Sequence, residues 1–62
     1  MLKTYKIHAI HNQWIDSHDY NKPLIESPFV KVWTGQAVSV MSFINERDPK
    51  MEMYILNAEI IE

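Results

Sequence analysis

Twelve consecutive residues, His11 to Lys22, concentrate side chains that could do chemistry. The stretch HNQWIDSHDYNK contains one Trp, one Tyr, two His, two Asp and two Asn. Imidazole and carboxylate groups bind metals and carry protons, whereas Trp and Tyr often dominate the binding energy of protein interfaces. Three roles are therefore open to this stretch: a metal site, a catalytic loop or a recognition surface.

A metal site would use His11, Asp16, His18 and Asp19 as ligands. The remaining histidine, His8, lies three residues before His11, which places the two on opposite faces of a strand and prevents chelation of one ion. The chain has no cysteine, so it offers no thiolate ligand. Because nothing in the spacing fixes the loop ligands around an ion, we expect solvated or hydrogen-bonded histidines and neither a metal nor another cofactor.

Catalysis would need a preorganised acid–base pair such as His18 with Asp16 or Asp19. Sequence neighbours on a loop are poorly preorganised, and a chain of 62 residues hardly encloses a pocket. The single glycine, Gly35, rules out a glycine-rich phosphate loop or dinucleotide fingerprint. We therefore expect a protein that is not an enzyme.

Recognition of another protein is the remaining role, with Trp14 and Tyr20 as aromatic anchors and acidic and imidazole groups around them. The competing interpretation is a loop that folds back, so that Trp14 and Ile15 cover one end of the core. The predicted partner-binding residues are Trp14, Asp16, His18, Asp19 and Tyr20.

The segments around this loop predict strands. Residues 3–11 and 51–61 both alternate between two faces and contain β-branched and aromatic side chains. Residues 12–23 form a polar loop rich in turn-forming residues, and Pro23 to Glu26 is predicted to form a short second strand that pairs with the first.

The segment between Ser27 and Glu46 supports two interpretations. In the first, which we favour, Ser27 caps a long helix that carries an apolar stripe and ends before Asp48-Pro49. In the second, FVKVW is a strand and the helix begins only at Thr34, since β-branched residues and glycine weaken a helix interior. The stripe consists of Phe29, Trp33, Ala37, Val40 with Met41, and Ile44.

Together these elements predict a single α+β domain over residues 1–62. A three-stranded antiparallel sheet in the order 2-1-3 (β-β-α-β) would carry one helix packed on one face. The opposite face would then expose apolar side chains, which favours a homodimer. The predicted self-association residues are Ile10, Tyr54, Leu56 and Ile60.

Composition bears on location and on other partners. No secretory signal and no apolar run of about 20 residues is visible, so we expect a cytoplasmic protein without a membrane span. The net charge of −2 and the lack of a basic stripe disfavour nucleic acid as a partner. A nucleic-acid-associated regulator using Lys3, Lys6 and Lys22 is the alternative function, and a purely structural self-associating module is another.

The segments "LIESP", "AVSVMSFINE" and "YILNAEIIE", between Leu24 and Glu62, resemble those of small proteins from phages and mobile elements in architecture and residue character. The resemblance implies an inhibitor that binds and blocks a host protein, of the anti-CRISPR or other counter-defence kind, acting in the host cytoplasm. No motif in the chain selects a target.

Overall fold

The computed structural model describes residues 1–16 and 21–61. Three strands form one antiparallel sheet in the order β2-β1-β3: β1 is Lys3–His11, β2 is Lys31–Ala37 and β3 is Met53–Ile60. A short helix α1, Asn12–Ile15, follows β1 directly, and helix α2, Val40–Arg47, connects β2 to β3. The predicted α+β class, strand order and β-β-α-β arrangement are confirmed.

The second strand lies later in the chain than predicted. Leu24–Glu26 is a 3-10 helix, and β2 is formed by the residues that the favoured interpretation assigned to a long helix. In β2, Trp33 is paired with Ile7 and Gly35 with Tyr5. The long-helix prediction is therefore wrong, and the alternative strand at FVKVW is closer to the structure. Valine and glycine lower helix propensity in this segment, whereas pairing with β1 satisfies its backbone.

Helix α2 begins only after the strand has ended. Ser39 is its N-cap, and the Ser39 hydroxyl accepts a hydrogen bond from the Ser42 backbone N–H at 3.1 Å. This side chain satisfies one of the N–H groups that have no partner within the helix. The predicted end at Asp48-Pro49 agrees with the structure, because Asp48 is the C-cap.

The core lies between α2 and the sheet. It consists of Tyr5, Ile7, Ala37 and Phe43, with Trp33, Val40, Ile44 and Ile55 partly buried against it. Gly35 permits this packing, because a Cβ atom at that position would lie 3.0 Å from Phe43 Cε2 and 3.1 Å from Arg47 Nη2. Four residues of the predicted stripe therefore contribute to the core from a strand and a short helix, namely Trp33, Ala37, Val40 and Ile44. Phe29 and Met41 are exposed and do not.

A bulge in β3 changes which side chains share a face. On one side of it Tyr54 is paired with Ile10 and Ile55 with Ala9; on the other, Asn57 is paired with His8. Leu56 is the additional residue, and the register shifts between His8 and Ala9. Because side chains alternate with a period of two, one extra residue reverses the faces of every residue that follows it.

The turn between α2 and β3 is organised by the buried carboxylate of Asp48. Its two oxygens accept hydrogen bonds from the backbone N–H groups of Glu52 and Met53, at 2.9 and 3.0 Å. The Asp48 N–H donates to the Ile44 carbonyl and its own carbonyl accepts from Met51, which has a φ of 56°. Thus one side chain joins the end of the helix to the start of the last strand.

None of the helices in the described ranges is both long and apolar enough to cross a membrane.

Candidate functional site

The most distinctive surface feature is a stacked pair of aromatic rings, Trp14 and Phe29. Their ring centroids are 4.6 Å apart and the planes are inclined by only 8°. Each residue retains 38% of its exposure to solvent. Stacked aromatic pairs contribute about 0.5–1.5 kcal/mol beyond the burial of their area. The two rings therefore hold each other in place while a large part of their surface stays available.

The position of Trp14 follows from the way in which β1 ends. His11 caps α1, since its Nδ1 atom accepts a hydrogen bond from the Gln13 backbone N–H at 3.1 Å. The Asn12 N–H donates to the Glu52 carbonyl at 2.9 Å, which attaches the first residue of α1 to the chain just before β3. A four-residue helix is too short to be stable alone, so these anchors at the sheet end fix its orientation.

Phe29 is positioned by a turn around Ser27, which is 7% exposed. The Ser27 hydroxyl accepts from the Phe29 backbone N–H at 3.3 Å, and its carbonyl accepts from the Val30 N–H at 3.2 Å. Ser27 thus organises a turn, whereas the sequence interpretation made it a helix cap. Serine hydroxyls serve both functions with the same local hydrogen bond.

The structure describes two of the five predicted partner-binding residues, Trp14 and Asp16. Trp14 retains 38% of its exposure to solvent and is stacked on Phe29, while the neighbouring Ile15 is partly buried. Asp16 is exposed at the C-cap of α1, where its backbone N–H donates to the Trp14 carbonyl. The other three predicted contacts, His18, Asp19 and Tyr20, lie outside the described residues.

Phe29 is the residue of this surface that sequence analysis missed. Its spacing from Trp33 matched a helical stripe, which directed attention to the core. The sequence did contain a contrary indication, because Ser-Pro dipeptides favour turns as well as helix starts. The connection between α1 and β2 also exposes Ile25, at 42%.

The four predicted self-association residues do not form one surface. Ile10 is completely buried, and Leu56 is partly buried at the bulge. Tyr54 and Ile60 are each 52% exposed, but Tyr54 is paired with Ile10 whereas Ile60 is paired with Tyr5. Ile10 and Tyr5 lie on opposite faces of β1, so the premise of a continuous apolar sheet face is wrong.

The polar groups considered as metal ligands or as an acid–base pair are not brought together where the structure describes them. Among residues 1–16 and 21–61, no three His, Asp or Glu side chains converge on a point that could hold a metal ion. His11 faces Glu52 instead, with 3.5 Å between Nε2 and Oε2. Its other ring nitrogen is occupied by the cap of α1, so both nitrogens of His11 face partners within the fold.

Comparison with known proteins gives no relative: no protein-family model, no curated protein and no solved structure matches the chain.

Proposed function

We propose that this protein binds another protein and blocks it by occupying a surface, without catalysing a reaction. The observation that carries the proposal is the stacked pair of Trp14 and Phe29, each of which is 38% exposed. Interface anchors are enriched in large aromatic side chains, and affinity is gained when those side chains are ordered before binding. A ring that is already stacked loses little further freedom when a partner covers it.

Polar groups beside the pair would give direction to the contact. Asp16 is exposed one turn away from the start of α1, and His18, Asp19 and Tyr20 follow it in the chain. In the proposed complex, Trp14 and Phe29 form the apolar centre and Asp16 forms part of the polar rim. His18 and Asp19 remain predicted polar contacts, and Tyr20 remains a predicted aromatic anchor. A rim of this kind excludes water from the anchors and restricts the choice of partner.

The resemblance to phage and mobile-element proteins supports a more specific proposal. The partner would be a host protein in the cytoplasm, such as a component of a defence system, and binding would inhibit it. A chain of 62 residues suits this mode of action, because steric occupancy needs a stable surface and no enclosed active site.

The test is affinity capture from a bacterial lysate with tagged protein, followed by mass spectrometry. The informative variant is Trp14→Ala with Phe29→Ala, and the matched control is Met41→Ala, which removes an apolar side chain that is 63% exposed on α2. Circular dichroism establishes that each variant is folded.

The proposal expects one host protein to be captured by the wild type and the Met41→Ala control and to be lost from the double variant. Inhibition of that protein's activity by the purified chain would then establish blocking. Capture that is unchanged in a folded double variant would exclude the aromatic pair as the binding site.

A further inference from the structure

A second surface with binding chemistry lies at the same end of the sheet as the aromatic pair. It is a depression of about 400 Å³, formed where β1 ends, β2 and β3 begin, and α2 reaches its C-terminus. Trp33 and Met53, which are partly buried, provide its apolar surface. Three exposed cations, Lys31, Arg47 and Lys50, also line it.

The acidic groups of the depression are already engaged. Both oxygens of Asp48 accept backbone N–H groups, and Glu52 faces His11. Within residues 1–16 and 21–61, no carboxylate lies within ion-pairing distance of Lys31, Arg47 or Lys50. Arg47 instead lies over the Phe43 ring, 5.4 Å from its centroid, which restrains the guanidinium by a cation–π contact. The depression thus combines an apolar lining with cations that have no acidic partner in the described part of the chain.

Charge complementarity indicates an anion of low charge that is attached to an apolar group. Asp48, Glu52 and the carbonyl end of α2 place negative charge near the three cations, and the whole chain carries −2. A multiply charged phosphate places more negative charge near Asp48 and Glu52 than a single carboxylate does. A single carboxylate needs only one or two of the cations, and a neighbouring apolar side chain fits against Trp33 and Met53.

Residues that line the depression are close in the chain to the residues of the aromatic pair. His11 lines it and also caps the helix that carries Trp14. Lys31, which also lines it, follows Phe29 by two residues. Short chain segments at one end of the sheet therefore connect the depression with the aromatic pair.

We propose that the depression binds an acidic peptide segment in which an Asp or Glu residue is adjacent to an aromatic or aliphatic residue. The peptide carboxylate forms ion pairs with Lys31 and Lys50, with Arg47 beside them. The apolar side chain of the peptide lies against Trp33. Assigning this segment to the same protein that contacts the aromatic pair rests on the proposed function, whereas binding of the peptide itself does not.

The experiment is an NMR titration of the ¹⁵N-labelled chain, with the indole N–H signals of its two tryptophans as reporters. The probe is an N-acetylated, C-amidated Asp-Phe-Ala-Leu tetrapeptide, which carries a single carboxylate, and its matched control is Asn-Phe-Ala-Leu. Inorganic phosphate and adenosine monophosphate form separate arms. The Trp33 signal should move with the acidic peptide and move at least tenfold less with the amide peptide or with either phosphate compound at the same concentration.

Two charge reversals test the residues. Lys50→Glu removes a cation from the rim, whereas Lys3→Glu makes the same change in charge at the first residue of β1, at the far end of the strand from His11. Peptide affinity should fall at least tenfold in Lys50→Glu and change less than twofold in Lys3→Glu. Equal losses in both variants would show a general charge effect and overturn the site.

The inference is also overturned if the acidic peptide leaves the Trp33 signal unmoved, or if a phosphate compound moves it more strongly. These outcomes are separate from failure of the proposed function, which is measured by capture with the Trp14→Ala, Phe29→Ala variant. If the double variant no longer captures the partner and the wild-type protein does not bind the peptide, the proposed function is supported and this site is excluded.

Discussion

Removal of the Asp48 carboxylate is the perturbation with the largest effect expected from a single polar group. Asp48 is 7% exposed, and its oxygens accept the Glu52 and Met53 N–H groups at 2.9 and 3.0 Å. Hydrogen bonds to a charged acceptor are worth about 1.5–3 kcal/mol each. Because Asp48→Ala removes both, leaving two N–H groups that solvent satisfies in part, we expect a loss of about 2–4 kcal/mol.

That loss is large relative to the stability of so small a domain. At about 0.05–0.15 kcal/mol per residue, a chain of 62 residues has a free energy of unfolding of roughly 3–9 kcal/mol. The assay is urea denaturation followed by tryptophan fluorescence, in which the transition midpoint should fall while its slope m stays constant. Asp48→Asn, which keeps one acceptor oxygen, should give a smaller loss than Asp48→Ala.

The control is Glu46→Gln, which removes a carboxylate from an exposed position of α2. It should change the free energy of unfolding by less than about 0.5 kcal/mol, as is usual for surface substitutions. If Asp48→Ala were as mild as this control, the carboxylate would not join the helix to β3 in the way described.

The remaining predictions concern two backbone positions. Gly35→Ala should destabilise the protein by about 1–3 kcal/mol through overpacking, because the added Cβ atom would lie 3.0 Å from the Phe43 ring; a neutral result in urea denaturation would contradict the described packing of α2 on β2. Met51→Gly should raise the melting temperature, because Met51 has a φ of 56° and is 81% exposed, and an L-residue in the left-handed region costs about 1–2 kcal/mol. Its control, Met41→Gly in the first turn of α2, should lower the melting temperature, since glycine has a lower helix propensity than methionine.

The parts of the candidate site that depend on residue type were predictable from the sequence, whereas the part that depends on a distant partner was not. Trp14 was predictable because Trp and Tyr side chains often dominate the binding energy of protein interfaces. Phe29 was not, because its neighbour in the structure is fifteen residues away in the chain and local spacing matched a helix equally well. The depression was missed for the same reason, as its cations come from β2, α2 and the following turn.

The alternation of residues 3–11 and 51–61 was sufficient to predict β1 and β3, and Asp48-Pro49 was sufficient to predict the end of the helix. These features can be read from a short segment alone. Alternation indicates a strand, and proline restricts the backbone of the residue before it. By contrast, only the tertiary structure decided that residues 31–37 form a strand, since the apolar stripe was compatible with both periods and pairing with β1 favoured the strand. The bulge at Leu56 was decided in the same way: register belongs to two strands together, so neither strand's sequence alone specifies which side chains face the core.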